Sequence, residues 1–367
     1  MIFETYTLGE LVSIKYGKNQ KKVLSDTGTV PIYGTGGLMG YATEALYDKP
    51  SVLIGRKGTI EKIRYVDHPF WTVDTLFYTI VNESIVVPQF LYYTMLQLDL
   101  LQYNEGTTIP SLRTETLNRI ELQIPSIDNQ KRILRYLATI DNKITLNTAI
   151  NENLHQLIAA YYAEIFGNCE FSATISDYAD KIFSGGTPTT SNESYWNGEF
   201  KWLSSGETSQ KYIVDTEKTI TQQGVENSST RLASKYDTVI ASAGQGHTRG
   251  QTSMLLTDTY VNQSIIVVNS DNVLKPFIYW NLCGRYEELR VISNSNSIRG
   301  SLTTKMISSF SAPKADLTLI NKFSELAWAA ILEIEKNCNE ITRLTALRDT
   351  LLPKLMNGEI DVSEVKI

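Results

Sequence analysis

Cysteine is scarce in this sequence. The three present, Cys169, Cys283 and Cys338, are odd in number and far apart. That argues against a disulfide framework and for a reducing, cytoplasmic setting. Histidine is as rare: His68, His155 and His247 stand apart from one another and from the cysteines, so no metal-ligand spacing exists. His155, inside a helical stretch, is expected to be a solvated or packing residue. No run of about 18 apolar residues occurs, so no membrane span is expected. The opening stretch MIFETYTLGELVSIKYGK lacks the basic-then-apolar order of a signal peptide.

An excess of positive charge is missing too: 34 Lys and Arg face 40 Asp and Glu, a net charge of −6. Residues 1–125 hold 11 basic and 13 acidic side chains, and residues 167–315 hold 13 and 14. No broad polyanion-binding surface follows from such a balance, and any footprint must be local. Lys15, Lys18, Lys21 and Lys22 occur with no acid between Leu11 and Ser25, and Arg56, Lys57, Lys62 and Arg64 face only Glu61. Such patches act on phosphates because screening confines the relevant field to roughly 8–10 Å.

Catalytic signatures are absent as well. There is no GxxxxGK[ST] phosphate loop, and YGTGG (33–37) lacks the strand–GxGxxG–helix setting of a dinucleotide site. No Asn/Asp-Pro-Pro-aromatic motif grips a flipped base, and no Gly-x-Ser-x-Gly elbow is found. The chain reads as a recognition module on a spacer, and not as an enzyme.

What is present is ordinary globular composition, 42% hydrophobic and 20% charged, in a length that suits two or three domains. Two segments carry helical heptads. In the first, from near Asp128 to Gly167, one seam position holds Ile133, Ile140, Asn147, Leu154 and Tyr161, and the other Leu137, Ile144, Asn151, Ile158 and Ile165. In the second, from about Leu317 to Leu352, the positions hold Phe323, Ala330, Asn337, Leu344 and Leu351, and Ala327, Ile334, Ile341, Arg348 and Leu355. Helices of about 36–39 residues, roughly 55 Å long, want a partner helix, and each is the other's nearest candidate. Asn147, Asn151 and Asn337 would fix the register of that pair. Pro353 is expected to end or kink the second helix.

The segments before each helix repeat. SVLIGRKGTI (51–60) corresponds to DTVIASAGQGHTRG (237–250), FWTVDTLFYTIVNE to TYVNQSIIVVNSDN, VVPQFLYYTML to VLKPFIYWNLC, and GTTIPSLRTETL to SNSIRGSLTTKM. The matches keep one order and lie about 188 residues apart. The chain is therefore read as two copies of a β-rich mixed domain followed by a long helix. The expected domains are 1–125 and 167–315, with spacer helices 126–166 and 316–356 and a tail 357–367.

SGGTPTTSNESYWNGEFKWLSSGE (184–207), PIYGTGGLMGY (31–41), VLIGRKGTI and LRDTLLPKLMNGEI (347–360) resemble the specificity subunit of type I restriction-modification enzymes along essentially the whole chain. The resemblance implies an α+β fold with two target-recognition domains joined by an antiparallel coiled coil. Each domain would read one half of a split double-stranded DNA target. Methyltransferase subunits, two of them, would bind around the helices, and a restriction/translocase subunit would join. S-adenosylmethionine, ATP and Mg would serve those partners and not this chain. The first domain lacks the YWNG segment of residues 195–198, so the two domains should read different bases.

Within that frame the Arg56-Lys57 dipeptide between glycines reads as a hairpin tip approaching DNA. In the second copy Gln245, His247 and Arg249 take its place. Tyr33 and Thr35 lie in a glycine loop suited to the backbone, Arg113 and Arg299 sit amid hydroxyl residues suited to phosphate, and Lys18, Lys21 and Lys22 would steer association. Trp71, Trp202 and Trp280 read as core. The alternative class is a coiled-coil scaffold that holds partner enzymes without reading DNA.

Overall fold

The computed structural model describes residues 1–244, 247–294 and 300–363. It forms two compact units, Met1–Lys143 with Leu344–Ile367, and Ile144–Arg343. Both mix strands and helices.

In the first unit the run SVLIG is a strand, Ser51–Gly55, buried at every residue. Strand alternation explains how an uninterrupted apolar run is satisfied. Val52 and Ile54 enter one core with Phe77, Phe90 and Leu117, while Leu53 turns the other way onto Val66 and Phe70. The strand pairs antiparallel with Leu76–Val81 on one side and Ile63–Val66 on the other, and Val12–Tyr16 completes a four-stranded sheet. A second sheet orders Gly37–Ala42, Val30–Gly34 and Trp71–Thr72, the last pairing parallel. Phe3–Thr7 and Glu121–Pro125 close the unit as a ribbon.

The second unit repeats this plan. Lys181–Ser184, Ile265–Asn269, Thr238–Ala241 and Thr252–Leu255 follow the same order, with Tyr212–Ile213 added in parallel at the edge. The smaller sheet again contains a parallel pair, Trp202 opposite Tyr260, and is enlarged to Lys218–Ile220, Trp196–Leu203, Thr259–Val261 and Arg231–Ala233. Ala173–Thr174 and Ser311–Ala312 form its closing ribbon. The sequence repeat is thus a repeat of strand order. YWNG lies at the start of the long strand Trp196–Leu203, where Asn197 takes a φ of 59°.

Two helices, Ile127–Phe166 and Leu317–Met356, have 40 residues each. That is about 60 Å of helix. Of their expected seam positions, Ile133, Leu137, Asn147, Asn151 and Ile158 in one and Phe323, Ala327, Ala330, Ile334, Asn337 and Leu355 in the other are buried, and the remainder are half-buried. Within the second unit, Asn337 Nδ2 donates to Asn151 Oδ1 at 3.0 Å and Asn147 Nδ2 to Glu340 Oε2 at 2.7 Å. Tyr161 stacks on Phe323, centroids 6.0 Å apart. Within the first unit, Arg348 Nη1 meets Asp141 Oδ1 at 3.2 Å, and Leu352 and Leu355 share a core with Ile133 and Leu137.

Of the two effects expected of Pro353, ending the helix is not realised: it lies inside the helix, which continues to Met356. The missing N–H falls in the last turn, and burial of Leu352, Leu355 and Met356 offsets it. The stop comes at Gly358, whose φ of 80° suits a residue without Cβ. No described helix is long and apolar enough to cross a membrane.

Candidate nucleic-acid interface

The Gly-Arg-Lys-Gly stretch opens the connection between the paired strands Ser51–Gly55 and Ile63–Val66, as its apolar flanks predict. The connection is longer than a tight turn, spanning residues 56–62, and it is pinned. Arg56 N–H donates to the Thr75 carbonyl at 2.8 Å, Gly58 N–H to Pro110 at 2.9 Å, and Leu112 N–H to Arg56 at 3.0 Å. Gly58 has a φ of 90°, which explains glycine there. Lys57 is exposed, but Arg56 is half-buried, with its guanidinium 5.5 Å from the Tyr16 ring centroid. Lys57 therefore faces solvent as the tip was expected to, whereas Arg56 lies against the domain.

The same loop brings other candidates together. A Cβ on Gly58 would sit 3.9 Å from Thr35 Oγ1, so the glycine turn 34–37 borders the tip. On its other side a Cβ on Gly37 would sit 3.3 Å from Arg64 Nη2. Arg64 is exposed and lies 5.4 Å from the Tyr33 ring centroid. The Tyr33 hydroxyl lies 3.1 Å from His68 Nε2, and His68 Nδ1 lies 3.2 Å from Asp67. Partial burial raises the Tyr33 hydroxyl above its usual range while the Arg64 charge pulls the other way, so the phenol stays protonated and can donate. Arg113 is exposed and bound to Glu105 at 3.0 Å, in the segment whose Leu112 holds the tip.

Lys18, Lys21 and Lys22 are all exposed. The backbone of Lys18 is nevertheless fixed, because its carbonyl accepts from Trp71 Nε1 at 2.9 Å. Trp71, Trp202 and Trp280 are buried, as read.

In the second unit the expectation divides. His247 is exposed, and its carbonyl accepts from the Tyr286 hydroxyl at 2.9 Å. Arg249 is a correction: it is only 7% exposed, and its guanidinium donates to the Gly300 carbonyl at 2.9 Å and to Asn294 Oδ1. It joins two loops and does not face outward. Gln245 and Arg299 lie outside the described residues.

Sequence reasoning passed over Arg64, Tyr16 and His68 as site residues. Arg64 was counted in the basic cluster. The further signal was strand alternation, which places Arg64 outward between Ile63 and Tyr65. In the second unit Lys218 lies over Trp196 at 5.6 Å and Arg231 over Phe183 at 6.0 Å, cation–aromatic pairs that no local spacing announces. Among the described residues no group of three or more His, Cys, Asp or Glu could hold a metal.

Residues 2–156 match the family model of the type I restriction modification DNA specificity domain. Along most of its length the chain is similar to the HindI specificity subunit of Haemophilus influenzae, 21% identical over 79% of this chain and 81% of that one. It is also similar to the MjaIX specificity subunit of Methanocaldococcus jannaschii, 22% identical over 87% and 80%. In fold it is similar to the crystal structure of a type I restriction-modification S subunit from M. genitalium, with a TM-score of 0.64, 18% identity and 96% of each chain covered.

Proposed function

We propose that this chain belongs to the type I restriction-modification specificity subunits and is the DNA sequence-recognition subunit of such a complex, each unit reading one half of a split target. The observation that carries this is the specificity domain over residues 2–156, set on a strand order that recurs in the second unit. Two copies of one framework carrying different exposed side chains suit two different half-sites. The exposed Lys57, Arg64, Lys18, Lys21 and Lys22 supply a local positive surface in a chain of net charge −6.

The two 40-residue helices would pair as an antiparallel coiled coil that sets the gap between half-sites. The Asn151–Asn337 hydrogen bond and the Asp141–Arg348 ion pair support that register. Methyltransferase subunits, one for each repeat, would dock along the helices, and a restriction/translocase subunit would join them. S-adenosylmethionine, ATP and Mg then belong to those partners, and this chain carries no catalytic group.

The test is selection from a pool of randomised duplexes by the chain with its methyltransferase partner, beside a methyl-transfer assay of the chain alone. Enrichment of a split sequence with an unread gap, and no methylation by the lone chain, is the expected outcome. Partner binding without sequence enrichment would assign the scaffold role instead, and methyl transfer by the lone chain would overturn the non-catalytic reading.

A further inference from the structure

The face around Tyr33 carries chemistry that the pinned tip does not. In the hairpin of Val30–Gly34 and Gly37–Ala42, Tyr33 stands opposite Leu38 and Ile32 opposite Gly40. Met39 is thus the extra residue of a β-bulge, on a strand at the edge of its sheet. Bulges at edges re-aim side chains. Leu38 is 54% exposed, and Tyr41, opposite Pro31 on the face shared by Tyr33 and Leu38, is 46% exposed. Arg64 stands over the Tyr33 ring and has no carboxylate partner among the described residues. An unpaired guanidinium steadied on an aromatic ring thus borders an outward-facing leucine.

We propose that Arg64 and Leu38, both braced by Tyr33, read adjacent base edges in the DNA major groove: Arg64 the O6 and N7 acceptors of a guanine, Leu38 a thymine methyl. This rests on the DNA-reading function proposed above and names residues that perform it. A phosphate offers a cation nothing apolar to go with it, so an exposed Leu38 and Tyr41 beside Arg64 favour a base edge, which presents acceptors and a methyl side by side. Stacking on Tyr33 limits the orientations open to the planar guanidinium and favours two-pronged contact.

The experiment compares enriched sequences for the wild-type chain, Arg64→Lys and Leu38→Ala, each in complex with the methyltransferase partner. Both positions are exposed, so folding is retained. Arg64→Lys keeps the charge, and should keep overall affinity while relaxing one G·C position in one half-site, by roughly five- to 150-fold in discrimination. Leu38→Ala, or uracil in place of thymine in the selected target, should each weaken binding about fourfold at one neighbouring T·A pair, the worth of a buried methyl. The two changes should not add, and the other half-site should be untouched. Unchanged sequence preferences in both variants would overturn the inference. So would a loss spread evenly over all sequences, which marks a phosphate contact, or unchanged DNA selection with weakened partner binding, which marks a protein-docking face. In each of those cases a wild-type complex that still enriches a split sequence leaves the DNA-reading function standing. A wild-type complex that enriches none removes both.

Discussion

Ser51 opens its central strand and Asp237 immediately precedes the equivalent one, Thr238–Ala241; both are buried, and the two units satisfy them differently. Ser51 Oγ donates to the Thr79 carbonyl at 2.8 Å and accepts from Thr79 N–H at 2.9 Å, a neutral arrangement that is complete by itself. Asp237, 1% exposed, holds Lys275 Nζ at 2.9 Å, both Asn269 contacts, and the Ser234 N–H at 2.9 Å. Lys275 in turn donates to the Lys235 carbonyl at 2.9 Å. Breaking a buried pair leaves an uncompensated charge, and this costs far more than the pair itself contributes. Asp237→Ala should therefore destabilise the chain by about 3–5 kcal/mol, read from the midpoint of denaturant unfolding. Asp237→Ser combined with Lys275→Met, which removes both charges, should recover most of that loss. A single variant as stable as the wild type would show that the ammonium finds water. Nothing in the local sequence marked this pair, because its partners lie 32 and 38 positions from Asp237 and meet only through sheet and helix packing.

At the scale of the element, the first long helix carries its heptad seam and also a side chain for the domain beside it. His155 Nδ1 lies 2.9 Å from the Tyr212 hydroxyl, and its ring packs against Tyr279 and Trp280. Of the two roles the helix offered it, the packing one is realised. Burial pushes its pKa down to about 4, with the Lys211 charge adding and Glu152 opposing. The folded form therefore keeps the imidazole neutral, while the unfolded chain takes up a proton near 6.5. The stability tied to neutral His155 is complete above pH 6.5 and is lost as pH falls toward 4. His155→Gln should flatten the fall in unfolding free energy over that window, leaving only the carboxylate contribution shared with the wild type. Equal slopes in the two proteins would mean that His155 is protonated in the fold. The helix itself was legible because a 3.5-residue repeat needs no knowledge of distant segments. Which non-seam residues touch the neighbouring strands was not, since that depends on where Tyr212 and Trp280 arrive from elsewhere in the chain.

At the scale of the whole molecule, each long helix contributes residues to both compact units. If the helices set the gap between half-sites, as proposed, helix length is the variable to change. One heptad inserted in each, at equivalent points so that the Asn151–Asn337 register is kept, adds about 10 Å of helix. About three further base pairs should appear in the unread gap, at 3.4 Å each, with both half-site sequences unchanged. Mapping modified sites for the lengthened variant is the measurement. An unchanged gap in a stable, active variant would assign the measuring role to some other part of the complex.

The strand at SVLIG, the internal repeat and the two helices follow from patterns that each segment carries by itself: apolar runs between glycines, heptads, and their recurrence about 188 residues on. These patterns survive in the sequence because they depend on neighbours two to seven positions away. Which cations face outward was decided only when distant segments met. Arg56 folds onto Tyr16, 40 positions earlier; Arg249 is drawn inward by Gly300, 51 positions later; and Arg64, which alternation turns outward, is set on Tyr33 by the neighbouring sheet. A guanidinium goes where aromatic faces and carbonyls are offered, and that offer is made by the tertiary structure.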